Sequence, residues 1–234
     1  MIQTPPKTPE GKSEPLAVST GIYARYIKRP MDFFLSFCAL LVLSPVLLLL
    51  TAIGAAAMKG NPFFTQRRPG KGERIFKLIK FRTMTCETDA NGKLLPDDRR
   101  LTKYGRFLRA ASLDELPELI NILKGDMSVV GPRPLAVQYL PYYTDEERMR
   151  HSVRPGLTGM AQVHGRNATT WEERFMHDCN YVRNISFIGD ITIILQTVAV
   201  VFKHSGIGER GVDSPEDFDV YRRRQLEQEK VDVT

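Results

Sequence analysis

The chain is poor in the residues that build metal and disulfide scaffolds: three cysteines (Cys38, Cys86, Cys179) and four histidines (His151, His164, His177, His204) in 234 residues. The cysteines are odd in number and show no CxxC spacing, so neither a zinc site nor a disulfide framework is indicated, and a reducing compartment is the simplest setting. No histidine pair has HExxH-like spacing, so each reads as a surface or packing residue. Internal repeats are absent. Acid is the scarcer charge, 27 Asp and Glu against 33 Lys and Arg, leaving a net +6. That balance calls for an acidic partner: nucleic acid, an anionic membrane face or a phosphorylated substrate. The basic residues are interleaved with an apolar segment and carry no nucleic-acid motif, so nucleic acid is set aside.

Long uncharged runs, by contrast, are present. Residues 33–58, FFLSFCALLVLSPVLLLLTAIGAAAM, form a stretch of 26 residues without a charge, and about 20 suffice to cross a hydrocarbon core as a helix. The run is too long and begins too far from Met1 for a cleaved signal peptide. Both flanks are basic, with Arg25, Lys28 and Arg29 before it and Lys59, Arg67, Arg68 and Lys71 after it, so charge marks no outer side. Ser44-Pro45 lies near the middle, where proline removes a backbone hydrogen bond and favours a kink. Hydropathy by itself favours a spanning helix with a tolerated proline. A helix that dips and returns to the same face would satisfy both basic flanks.

Residues 105–134, GRFLRAASLDELPELINILKGDMSVVGPRP, say most about chemistry. Asp114 and Glu115 stand between basic and Gly-Pro segments, flanked by Arg106, Arg109 and Arg133. The arginine fork matches phosphate oxygens and stays charged at any working pH. Asp114 suits a nucleophile, a hard oxygen ligand for a divalent cation, or both. The same letters also read as a helix start, with Ser112 and Glu115 as a capping box or Asp114 as N-cap and Pro117 in the first turn. Leu116, Leu119, Ile120 and Leu123 then follow at helical spacing, and Lys124-Gly125 supplies a stop.

Elsewhere, residues 1–21 read as a flexible tail. After the Asn61-Pro62 turn come a short strand at Phe63-Phe64-Thr65, a basic turn, and a strand over 74–84 that brings Lys77, Lys80 and Arg82 near a membrane surface or a phosphate. Residues 85–103 read as a polar loop with a solvated charge run at 97–100. GPRP and the stretch 154–166 read as stiff loops carrying Arg133, Arg154 and Arg166. A helix is predicted over 171–182. Over 185–202 the repeat of Ile191, Ile194, Leu195, Val198 and Phe202, interrupted by Asp190 and Gln196, predicts an amphipathic helix on the core or in the interface. Ser214-Pro215 starts a charged C-terminal helix or tail.

Taken in order, KRPMDFF, the apolar run with its Ser-Pro, KFRTM, SLDELPELINILKGDMS, GPRP and RPGLTGMAQVHGR resemble the bacterial sugar transferase family, the monotopic polyprenyl-phosphate phosphoglycosyl transferases. The resemblance runs from about residue 28 to about residue 207 and points to the small, catalytic-core type. It implies an α+β, mostly helical fold: a re-entrant membrane helix-break-helix turning at Ser44-Pro45, packed on a small cytoplasmic catalytic domain with interfacial amphipathic helices. The expected parts are a tail (1–27), the re-entrant helix (28–60), the catalytic domain (61–207) and a charged C-terminal tail or helix (208–234). The implied reaction moves a sugar 1-phosphate from a UDP-sugar to undecaprenyl or another polyprenyl phosphate, releasing UMP through a covalent aspartyl-phosphosugar, as the first membrane step of glycan assembly. Asp114 would be the nucleophile and a ligand to Mg²⁺, and Glu115 would take the acceptor's proton. Arg109, Arg133 and Arg154 would contact phosphate. Membrane lipids are implied partners, a homo-oligomer is admitted, and the implied location is the bacterial inner membrane with the catalytic domain on its cytoplasmic face. The rival reading is a membrane-anchored basic adaptor whose Asp114 and Glu115 merely cap a helix.

Overall fold

The apolar run forms one long helix, α1 (Lys28–Ala57), entered through a π-helical turn at Tyr23–Ile27. The computed structural model describes residues 18–164, 170–202 and 216–232. The tail before residue 18, Arg166 and the Ser214-Pro215 helix start lie outside them. The expected helix-break-helix is corrected here, because α1 continues through Pro45. Pro45 offers no N–H to the Leu41 carbonyl four residues back, and the Ser44 hydroxyl donates to that same carbonyl at 2.8 Å.

A single stripe of α1 faces the rest of the chain. Lys28, Asp32, Ser36, Leu50 and Gly54 are buried. Ala39, Leu40 and Leu43 pack on Leu78, Leu119, Ile122 and Met127, and Leu47 joins Leu50 against Phe81 and Leu108. Contacts every three or four residues over the whole helix define one face. The opposite face leaves Phe34, Leu41, Val42, Leu48 and Leu49 exposed.

Strands β1 (Phe63–Pro69) and β2 (Ile75–Phe81) form an antiparallel hairpin that pairs Phe63 with Phe81, longer than the three-residue strand read from Phe63-Phe64-Thr65. Its turn places Gly72 at φ +62°. The polar loop that follows contains the one-turn α2 (Asp97–Arg100), where Arg100 pairs with Asp97. Thr102 caps α3 (Lys103–Ala110) by accepting from the Gly105 amide. A Cβ on Gly105 would meet the Thr83 carbonyl oxygen at 1.9 Å, so only glycine lets α3 lie against the end of KFRTM.

Helix α4 (Glu118–Lys124) ends at Gly125 with φ +93°, the stop legible in Lys124-Gly125. The two supposed loops meet as a short parallel pair, β3 (Ser128–Val130) and β4 (Gly156–Thr158). A Cβ on Gly156 would lie 2.1 Å from the Gly131 nitrogen, so GPRP and RPG cross backbone to backbone. One-turn helices α5 (Asp145–Arg148) and α6 (Met160–His164) precede α7 (Trp171–Arg183), which opens with a Thr170/Glu173 capping box.

Helix α8 (Phe187–Phe202) turns part of its apolar repeat outward and buries the side that carries Asp190. Asp190 is 0% exposed and Ile193 is buried, while Phe187, Ile188, Leu195 and Val198 are exposed. The reason is a buried polar knot. Asp190 accepts from the Tyr23 hydroxyl (2.7 Å), the Tyr181 hydroxyl (2.8 Å) and the Lys28 ammonium (2.6 Å). Asp32 beside it accepts from the Ser128 hydroxyl and the Val129 amide. KRPMD therefore anchors the foot of α1 to α8 and β3. The C-terminal stretch is a docked helix, α9 (Phe218–Asp232), whose Phe218 fills an aromatic cluster with Tyr139, Tyr143, Trp171 and Phe175.

Candidate active site

Four segments converge at the N-terminal end of α4. Asn121, inside α4, welds it to β2: its side chain accepts from the Ile79 amide at 3.0 Å and donates to the Lys77 carbonyl at 2.8 Å. That weld aims Lys80 at the turn Leu113–Glu115, a 3-10 turn entered through Ser112 in the left-handed region at φ +55°. Lys80 Nζ lies 3.0 Å from Glu115 and 3.1 Å from Glu118. Arg133, carried by the glycine-crossed GPRP loop, reaches Glu115 Oε1 at 2.6 Å.

Glu115 is therefore held by two cations. Neither Ser112 nor Pro117 makes a side-chain cap hydrogen bond, which corrects the expected capping box of Ser112 and Glu115: the glutamate side chain reaches across to β2 and GPRP. Asp114 is buried beside it, 4% exposed. Arg109, in the last turn of α3, donates through Nε to the Thr83 hydroxyl at 3.1 Å, fixing it against KFRTM.

The structure does not bring Arg154 to this cluster. Its Nε donates to the Gly125 carbonyl at 2.8 Å, at the opposite end of α4. There it joins Arg29, which donates to the Ile122 and Leu123 carbonyls. Two arginines at a helix C-terminus satisfy its last carbonyls and its dipole.

Sequence reasoning passed over Glu118, the third carboxylate, because it sits inside an apolar helical repeat. Glu118 is 2% exposed. Burial pushes its carboxyl up to about 7, with Glu115 adding to the rise and Lys80 opposing it. The signal was the spacing: positions 114, 115 and 118 fall on neighbouring turns. Arg68 was also missed as a site residue; burial and the nearby Arg133 hold its guanidinium below the ordinary value. Two arginines in mutual reach beside carboxylates make a place for an anion with several oxygens. Among the described residues no group of three or more His, Cys, Asp or Glu side chains is arranged to hold a metal ion alone.

Comparison with known proteins supplies the family. The bacterial sugar transferase family model matches residues 23–204, and the chain belongs to that family. It is 46% identical over 192 residues to a Bacillus subtilis protein named uncharacterized sugar transferase EpsL, covering 82% of this chain and 95% of that one. It is 39% identical over 181 residues to the UDP-glucose:undecaprenyl-phosphate glucose-1-phosphate transferase of Caulobacter vibrioides, covering 73% and 68%. The undecaprenyl-phosphate galactose phosphotransferase of Salmonella typhimurium is 36% identical over 204 residues, 78% of this chain and 42% of that protein. The chain thus spans less than half of the Salmonella relative.

Proposed function

We propose that the protein is a phosphoglycosyl transferase that moves a sugar 1-phosphate from a UDP-sugar to a polyprenyl phosphate. The relatives' printed names supply the polyprenyl phosphate class. The observation that carries the reading is the buried Asp114-Glu115 pair, with Lys80 and Arg133 on Glu115, in a domain that lies along an apolar helix. In the first displacement the Asp114 carboxylate attacks the phosphorus bearing the sugar; the bond from that phosphorus to the UMP oxygen breaks, and UMP leaves with the electron pair. In the second, an oxygen of the polyprenyl phosphate attacks the same phosphorus, Asp114 departs as carboxylate, and the product is a polyprenyl diphosphate sugar. Glu115 takes the acceptor's proton where one is present, and its two cations lie where phosphate charge accumulates.

Asp114 offers one hard oxygen ligand, and Mg²⁺ is commonly held by one or two carboxylates plus substrate phosphates and water. The donor set fits that mode and does not form an all-protein cage. Bound there, Mg²⁺ would neutralise charge on the transferring phosphate.

The α1 packing favours a monotopic placement. A helix standing upright across about 30 Å of hydrocarbon would not also lie along a charged domain for its entire length. With its outer face and the exposed face of α8 in lipid, the chain would sit on the cytoplasmic side of the bacterial inner membrane, where nucleotide sugars and reduced cysteines belong.

The test is UMP release by purified protein given Mg²⁺, a panel of UDP-sugars and polyprenyl phosphate. UMP should also appear, at no more than one equivalent per enzyme, with donor alone. Folded protein that releases no UMP from any donor overturns the reading, and UMP that requires acceptor overturns the covalent step.

A further inference from the structure

Helix α9 lies beyond the stretch matched by the family model, residues 23–204, yet its first residue, Phe218, is 0% exposed. Phe218 stacks on Tyr143 with ring centroids 5.2 Å apart. The Tyr143 hydroxyl accepts from Arg150 Nη1 at 3.2 Å. Arg150 is held by Asp178 through Nε and Nη2, at 3.0 and 2.8 Å. The same Nη2 donates to the main-chain carbonyl of Arg133 at 2.7 Å, and the Arg133 side chain holds Glu115 at 2.6 Å. The links through Arg150 to Tyr143 and Asp178 are buried, and the last one, Arg133 to Glu115, opens toward solvent. Arg150 is 2% exposed, so a donor that loses its partner has no water to turn to.

We propose that α9 is a cis-acting positioning element of the active site: by packing Phe218 on Tyr143 it holds Arg150, and through Arg150 the GPRP loop that presents Arg133 to the donor phosphates. The last clause rests on the proposed function, whereas the coupling from α9 to GPRP does not. Phe218, Tyr143 and Arg150 are positioning residues, since none of them touches the acidic pair.

The test uses the full chain in lipid nanodiscs with two readouts. In hydrogen exchange, Phe218→Ala and Tyr143→Phe should each speed exchange at the Gly131 amide, which donates to the Thr158 carbonyl, about tenfold while leaving α1 and α4 unchanged. In kinetics, both should raise KM for the UDP-sugar several-fold and leave KM for polyprenyl phosphate unchanged. Phe218→Ala combined with Arg150→Lys should be no worse than Arg150→Lys alone, because residues on one path are non-additive. Unchanged exchange at GPRP, a uniform rise across the chain, or additive kinetic effects would overturn the inference. Where Phe218→Ala does not fold, Phe218→Leu carries the same comparison. A wild-type protein that releases no UMP, with GPRP exchange still answering to Phe218, would sink the functional reading and leave the coupling standing.

Discussion

Two clusters of buried charge, one at the foot of α1 and one at the start of α4, use the same residue types to different ends. At the foot of α1 every carboxylate oxygen accepts a hydrogen bond: Asp190 takes two tyrosine hydroxyls and Lys28, and Asp32 takes Ser128 and a backbone amide, with the Lys28 ammonium 3.8 Å away as well. At the start of α4 one ammonium is divided between two glutamates, Glu115 and Glu118, and one of those carboxyls is pushed up to about 7. Fully satisfied buried networks rigidify, as the hydroxyl and amide donors to Asp190 and Asp32 make the first one; at the second, a carboxyl raised to about 7 can change its charge when a ligand arrives. The first cluster is a rivet and the second a receptor for charge.

The largest effect expected from breaking this contrast is chemical. Asp114→Asn should reduce UMP release by about a thousandfold or more, as loss of a covalent nucleophile does, with little change in denaturant midpoint. An equally large fall in stability would mean that the pair serves the fold. Next, Lys28→Met should cost roughly 3–5 kcal/mol, because it leaves Asp190 buried and uncompensated, with turnover per folded molecule preserved. Denaturation in detergent, together with active-site titration, separates the two quantities.

A smaller effect depends on pH. The folded Glu118 carboxyl keeps its proton up to about pH 7, while an unfolded one releases it near 4.5. Between those values the folded state binds more protons, so stability falls as pH rises through the window. Glu118→Gln should therefore stabilise the protein at pH 8 by up to about 3 kcal/mol, with the gain vanishing below pH 4.5. A gain independent of pH would show that Glu118 is not the titrating group. The smallest change is Tyr23→Phe, which removes one of three donors to Asp190 and should cost about 1–2 kcal/mol in a melt, with kinetics untouched.

Much of this was legible in the letters, though unevenly. An uncharged apolar run located α1, helical spacing located α7 and α8, and Lys124-Gly125 marked the end of α4, because those signals are local. The acidic pair and Lys80 were visible as chemistry. The failures share a cause, which is that a partner distant in sequence decides the outcome. Asp190 looked like a flaw in an apolar face until Tyr23 and Lys28, more than 160 positions away, made it the buried side. Ser44-Pro45 reads as a break because a proline lacks a donor; the serine hydroxyl beside it supplies one.

The apolar outer face of α1 also bears on what stability means for this chain. None of the described residues covers Leu41, Val42, Leu48 and Leu49, so in the proposed membrane placement the amphiphile that does so enters the folding equilibrium as a ligand of the native state. Its melting temperature is then a property of protein and lipid together, shifting with acyl-chain length and detergent concentration, so variants rank meaningfully only within one bilayer.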